Sequence, residues 1–272
     1  GEFSVSFGQQ PLEISTLQSN KTEFTNNQFL FLENTHNRDK SIPHTSEFKV
    51  LPNLYPNFGF TLNDVWFRFV IENKSSDTVR KLFWLSNPNL DEIDLYQSAT
   101  GRPWQCVAKT GDMRPIETKE VDNRNFALPI LLRPHSKDTF YVRTNNGGEQ
   151  FHFVPAIINN NFFLNEDAGY QLFFGIYFGI LTFIFIFNLF SFFALRDKTA
   201  LWYAGYVLTF GLLQISLVGI GTHKLWSSNF IAERANPFFA SLSILFLLHF
   251  TLDYLRMKSI MPFMYKVFRF FR

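Results

Sequence analysis

The chain has 272 residues, 46% of them hydrophobic, and its 25 Lys and Arg against 23 Asp and Glu leave a formal net charge of +2. So small an excess, gathered beside apolar runs rather than in one patch, excludes a nucleic-acid partner from the expectations. The single cysteine, Cys106, excludes an intrachain disulfide and a cysteine-built metal site, and no cofactor is expected.

Taken in order, the chain opens at Gly1 with neither an initiator Met nor an apolar signal segment, which predicts a mature or trimmed form. Up to about residue 50, short apolar runs (Leu12-Glu13-Ile14, Phe29 to Leu32, Phe48 to Leu51) alternate with Asn, Ser, Thr and Pro clusters, the rhythm of short strands and loops. In Val65 to Glu72, Val65, Phe67, Phe69 and Ile71 share one face and Trp66, Arg68 and Val70 the other, the pattern of a strand covered on both sides. Asn73 to Asp77 makes a turn, and Thr78 to Leu85 is expected to return as its hairpin partner. Further strands are expected at Glu92 to Gln97, Trp104 to Ala108, Phe126 to Leu132, Thr139 to Thr144 and Phe151 to Ile158. Strands this closely spaced, without helical stretches between them, predict an all-β antiparallel sandwich, a jelly roll, over residues 1–160.

Residues 161–168 read as a linker. From 169 onward the chain belongs to a membrane, with an α-helical transmembrane bundle expected at about 169–195, 200–222 and 236–255 and the start of a fourth helix at 260–272. Gly169 to Leu195 carries no charge, and at about 1.5 Å per residue it more than spans the roughly 30 Å hydrocarbon layer, so a tilted helix is expected. Arg196, Lys198, Arg256, Lys258, Lys266, Arg269 and Arg272 outnumber Lys224 and Arg234 on the other side, which predicts a cytoplasmic basic side and a β-domain outside. Gly175 and Gly179 would let a helix approach closely, Asn188, Gln214 and His249 are expected to face other helices, and Asp253 can reach Arg256.

Trp66 and Arg68 share a strand face and Arg143 holds a matching position on a later strand. An aromatic plate beside guanidinium donors suits a carbohydrate or an organic anion, on a face that Trp84, Tyr96 and Arg124 would extend. The alternative is that Trp66 fills core and Arg68 pairs with an acid such as Asp94. Asp91, Glu92 and Asp94 invite a glycosidase reading, but a solvated strand edge suits them better. His36, His44, His135 and His152 lack ligand spacing, so no metal is expected, and Gly147-Gly148 has no phosphate-loop context.

The order of short motifs resembles that of bacterial seven-transmembrane receptors with diverse intracellular signalling modules, of the kind carrying the second of that family's two extracellular domain types. In the first half it rests on Phe58-Gly59-Phe60, Asp64 to Phe69, Asn73, Asn87 to Tyr96, Thr110-Gly111-Asp112, Asn123 to Phe126 and Tyr141 to Arg143. In the second it rests on Gly175 to Gly179, Asn188-Leu189, Leu195 to Asp197, Leu201 to Tyr203 and Leu255 to Pro262. The resemblance implies a jelly-roll sensor outside the bacterial cytoplasmic membrane, seven helices among membrane lipids, and a cytoplasmic output such as a kinase, cyclase or phosphatase. It also implies an Arg-Pro pair before Asn123-Arg124, where Lys119-Glu120 stands here. With three helices, the start of a fourth and no output module, the chain is expected to be the non-enzymatic sensory and membrane portion of a receptor, with a homodimer as one option for its assembly. The alternative is a membrane-anchored carbohydrate-binding protein.

Overall fold

A computed structural model describes residues 9–14, 20–25, 27–34, 42–51, 57–99, 103–221, 225, 229–263 and 265–266. The chain divides into two compact units, Gly1–Asn165 and Glu166–Arg272.

The first unit is a sandwich whose strands are numbered in chain order. One sheet holds β1 (Leu12–Ile14), β3 (Phe29–Asn34), β4 (Lys49–Val50), β6 (Asp64–Asn73), β8 (Glu92–Ala99), β9 (Gln105–Thr110) and β11 (Ser136–Asn145). Its order is β4-β3-β6-β11-β8-β9, and β1 lies parallel to β6 from Ile71 to Asn73, where the pairing with β3 has ended. The other sheet, β10-β7-β13-β2, consists of β10 (Phe126–Leu132), β7 (Val79–Leu85), β13 (Pro155–Ile158) and β2 (Lys21–Glu23). A ribbon pairs β5 (Asn57–Phe60) with β12 (Gln150–His152), so the single strand expected at Phe151 to Ile158 is two.

The alternation of β6 sets the core. Val65, Phe67, Phe69 and Ile71 are fully buried between the sheets, beside Phe83 of β7 and Phe140 of β11. The rings of Phe69 and Phe140 stack at 5.0 Å and those of Phe69 and Phe83 at 4.9 Å, so Phe fills the interior with offset-stacked pairs. The expected hairpin of β6 with β7 does not form: β6 pairs with β11 and β3, and β7 crosses to the other sheet between β10 and β13. Asn73 makes that crossing, its Nδ2 donating to the carbonyls of Asp77 (2.9 Å) and Arg133 (2.8 Å).

In the second part of the chain, α1 (Asn160–Leu195), α2 (Lys198–Leu217) and α3 (Asn229–Tyr254) each contain a stretch long and apolar enough to cross a membrane. The linker expected at 161–168 is already helix. Asp197 caps α2, accepting from the Thr199 amide at 2.8 Å. Near residue 260 the structure has a short helix, α4 (Met257–Ile260), with further helical residues at 262–263 and 265–266, while 267–272 lie outside the described residues.

Helices α2 and α3 pack where Gly205 leaves room for the ring of Phe246; a Cβ there would stand 2.5 Å from Cδ1. The Trp202 ring lies 4.5 Å from that of His249, tilted by 36°, and its Nε1 donates to Asp253 at 2.9 Å, a partner other than the expected Arg256. Asn188 donates to the Ile184 carbonyl of its own helix; His249 faces Trp202 of α2 as expected, while its Nδ1 lies 2.8 Å from the Leu245 carbonyl of its own helix. Apart from its chain neighbours and its own helix backbone, no described atom lies within 4 Å of a Cβ built at Gly175 or Gly179.

Candidate functional site

Register assembles most of the expected site on one face of the first sheet. Trp66 stands opposite Arg143, Arg68 opposite Tyr141, Arg143 opposite Asp94, and Tyr141 opposite Tyr96. Two residues fall elsewhere. Trp84 belongs to β7 in the other sheet, with Lys21 Nζ 5.3 Å above its ring, and Arg124 precedes β10, its carbonyl accepting from Lys119 at 3.2 Å. They do not extend the face of Trp66, because Trp84 lies in a strand of the second sheet and Arg124 in the segment that leads into another strand of that sheet.

The two arginines of the face have different environments. Arg143 is buried and bidentate to Asp64, with Nε at 3.0 Å and Nη2 at 2.9 Å, while its Nη1 meets Glu92 at 2.8 Å and Asp94 at 2.9 Å. Burial alone would lower its pKa; the bonds to Asp64, Glu92 and Asp94 outweigh that and hold it above the ordinary arginine range. Arg114 closes the cluster from a loop, reaching Asp94 at 2.6 Å, Glu92 at 3.3 Å and the Ile93 carbonyl at 3.1 Å. Glu92 and Asp94 therefore do not form a solvated strand edge, and the partners of Asp94 are Arg114 and Arg143 rather than Arg68. Arg114-Pro115 is also an Arg-Pro pair, upstream of the position where Lys119-Glu120 stands, and it lies in a loop where strand alternation gives no signal.

Arg68 is half-buried and makes no ion pair among the described residues. Its Nε donates to Tyr141 Oη at 3.2 Å, and its guanidinium carbon lies 5.8 Å from the ring centroid. Tyr141 is held by Thr45, whose Oγ1 is 3.0 Å from Oη, by the Phe48 ring at 5.4 Å and by the Trp104 ring at 4.8 Å. Trp66 is 1% exposed and stacks on Tyr96 at 6.0 Å, a wall behind the face rather than a plate open to solvent. Burial raises the Tyr96 pKa, and the nearby Asp94 charge adds to the rise. The aromatic surface open to solvent is Trp104, 43% exposed. Tyr141 could have been found from sequence by its spacing of two from Arg143; Trp104, expected to open a strand, stands just before β9, which begins at Gln105, so alternation did not place it on this face.

At the end of the sandwich beyond Arg143, the stretches around Leu90-Asp91, Gly111-Asp112 and Asn146-Gly147 converge. Asp112 N donates to the Leu90 carbonyl at 2.8 Å and Met113 N to that of Asp91 at 3.2 Å. Burial pushes the Asp112 carboxyl up to about 6, a hydrogen bond with Asp91 opposing the rise. Burial brings Lys119 down to about 8, with its Nζ 4.2 Å from the Phe126 ring centroid. Among the described residues no group of His, Cys, Asp and Glu is placed to hold a metal ion.

Two family models match the chain. One, described as 7TMR-DISM extracellular 2, covers residues 17–153, and the other, described as 7TM diverse intracellular signalling, covers residues 170–272. No curated protein matches it.

Proposed function

Because the chain belongs to the seven-transmembrane receptors with diverse intracellular signalling, we propose that its sandwich lies outside the bacterial cytoplasmic membrane and binds a carbohydrate or an organic anion at Arg68. Binding is then relayed through the helices to a cytoplasmic output module, such as a kinase or nucleotide cyclase, that these residues do not include. The observation that carries the ligand reading is the contrast between the two arginines. Arg143 has its donors filled by carboxylates, whereas Arg68, two residues along β6 from Trp66 in the same face, has the hydroxyl of Tyr141, against whose ring the exposed Trp104 packs, and no described acid. A guanidinium beside an aromatic surface offers bidentate donors and a stacking plane together.

The test is thermal unfolding of the full chain in detergent with D-glucose, D-galactose, succinate and citrate. At least one should raise the melting temperature of the wild type, and Arg68→Ala should fold with little loss yet show no such rise. If none stabilises the wild type, or if Arg68→Ala does not fold, Arg68 is structural and the assignment is wrong.

The orientation follows from the basic residues that flank α1 and α2 at Arg196 and Lys198 and continue at Arg256 and Lys258. In a Cys106→Ser background, an impermeant thiol reagent on intact cells should label Ser227→Cys and spare Thr199→Cys. The reverse pattern would place the sandwich in the cytoplasm.

A further inference from the structure

At the end of β11 away from the ion cluster, a cavity of about 270 Å³ opens between the sheets. Gln97, Gln105 and Asp138 of the first sheet line it together with Leu131 of the second sheet's β10 and Arg133 just after that strand. Asp138 shares the inward register of Phe140 and Val142, so a carboxylate occupies a position where the neighbouring strand residues are core. It is 1% exposed. Its Oδ2 accepts from Ser136 Oγ at 2.9 Å, whereas Oδ1 is buried and no group among the described residues makes a well-formed hydrogen bond to it, the Gln97 amide being the donor that stands alongside the carboxylate. A buried carboxylate oxygen left without a well-formed bond is costly, and among the described residues no cation stands within ion-pair distance of it. Burial raises the Asp138 pKa; the Ser136 bond, the Arg133 charge and the Gln97 amide alongside oppose the rise.

The walls are tied together before any ligand arrives, since Gln97 Nε2 donates to the Leu131 carbonyl at 3.1 Å across the two sheets. The lining thus offers a buried acceptor of negative charge, a guanidinium at the rim, two carboxamides, and an apolar wall of Val107 and Leu131. No aromatic ring belongs to the described lining, so the stacking plane that favours a sugar is missing from it. The volume is also below the roughly 300–1,000 Å³ of pockets for drug-sized ligands. We propose that this cavity binds a small zwitterion of the α-amino acid class, its ammonium on Asp138, its carboxylate on Arg133 and its side chain against Val107 and Leu131. The site is separate from the Arg68 face: Asp138 and Gln97 project to the inner side of the sheet, and Arg68 and Tyr141 to the outer.

The experiment is titration of the full chain in detergent with glycine, L-serine, L-alanine and L-valine, read by melting temperature and calorimetry. N-acetyl-L-alanine, L-alanine methyl ester and D-glucose serve as comparators. At least one free amino acid should bind saturably, and acetylation or esterification should abolish the response. Asp138→Asn should abolish it, and Arg133→Gln should weaken it by about tenfold or more, as expected for losing a charge-assisted contact. Arg68→Ala should leave it unchanged, which separates this site from the face in the proposed function. Should Asp138→Asn fail to fold, Arg133→Gln, at an exposed position, decides alone. The proposal is overturned if no free amino acid binds, if the acetylated form binds equally well, if Arg133→Gln binds like the wild type, or if Arg68→Ala removes the response.

Discussion

Arg143→Ala is expected to destabilise the N-terminal unit by about 3–5 kcal/mol, the usual result of removing one partner from a buried ion pair. The cause is the charge stranded on the remaining carboxylates more than the hydrogen bonds removed with the guanidinium. Asp64 is 2% exposed and Asp94 1%, and Arg143 donates to both. After truncation Asp64 keeps the Asn145 amide, at 2.8 Å, and Asp94 keeps Arg114. For a unit of this size the loss corresponds to a fall in melting temperature of roughly 10 °C. Trp66, directly opposite Arg143 in the register, provides the fluorescence that reports it. Arg68→Ala is the internal comparison: it leaves no described carboxylate unpaired and should cost about 1 kcal/mol or less, as half-buried polar truncations do. A loss below about 1 kcal/mol for Arg143→Ala would mean that water or Arg114 neutralises the acids without it, and the cluster would then not anchor the sheet.

What separates the two arginines was not legible in the sequence, and the reason is physical. Both lie in alternating strand segments beside aromatic residues, so local pattern treats them alike. Their environments are set by residues far away along the chain: Asp64 is 79 positions from Arg143 and Asp94 is 49. Only strand register brings them together, and register depends on pairings that a single strand does not encode. The misplaced hairpin has the same origin. β6 and β7 each present an apolar face, which is equally satisfied by pairing side by side or by facing each other across the core. Asn73 fastens the second arrangement, its side chain tying the turn to Asp77 and Arg133. The alternation of Val65 to Ile71 was legible because one period of two buries a whole face. The apolar helices were legible because lack of charge over such a length has few other readings. The start of α1 was not: Asn159-Asn160-Asn161 reads as linker by propensity, yet asparagine is favoured at a helix N-terminus.

Gly111→Ala should have an effect comparable to that of Arg143→Ala, through backbone geometry instead of charge. Gly111 has φ of +147°, a conformation that L side chains rarely adopt. A Cβ there would stand 1.9 Å from the Asp91 carbonyl oxygen, 2.6 Å from its carbon and 2.9 Å from Glu92 Cα. All three are main-chain atoms, so no side chain can swing aside, and either the β8 entry or the Gly111 turn must move. The close approach is what lets Asp112 and Met113 donate to Leu90 and Asp91, and the turn closed by Arg114 N to the Gly111 carbonyl at 3.2 Å aims Arg114 at Glu92 and Asp94. Backbone strain of roughly 1–3 kcal/mol and overpacking of roughly 1–3 kcal/mol therefore act together, and the second guanidinium of the ion cluster is displaced with them. Denaturant unfolding should show a loss of about 3 kcal/mol or more. Gly147→Ala is the control that isolates the backbone effect. Its Cβ would meet the Asp91 side chain, Oδ2 at 2.4 Å, at a φ of +50° in the left-handed helical region that other residues can enter. Because that carboxylate can rotate away, the loss there should be about 1–2 kcal/mol. If Gly111→Ala were no more damaging than Gly147→Ala, the contact with the Asp91 main chain would be yielding rather than rigid. Arg114 would then owe its position to its own ion pairs and not to the glycine turn that leads into it.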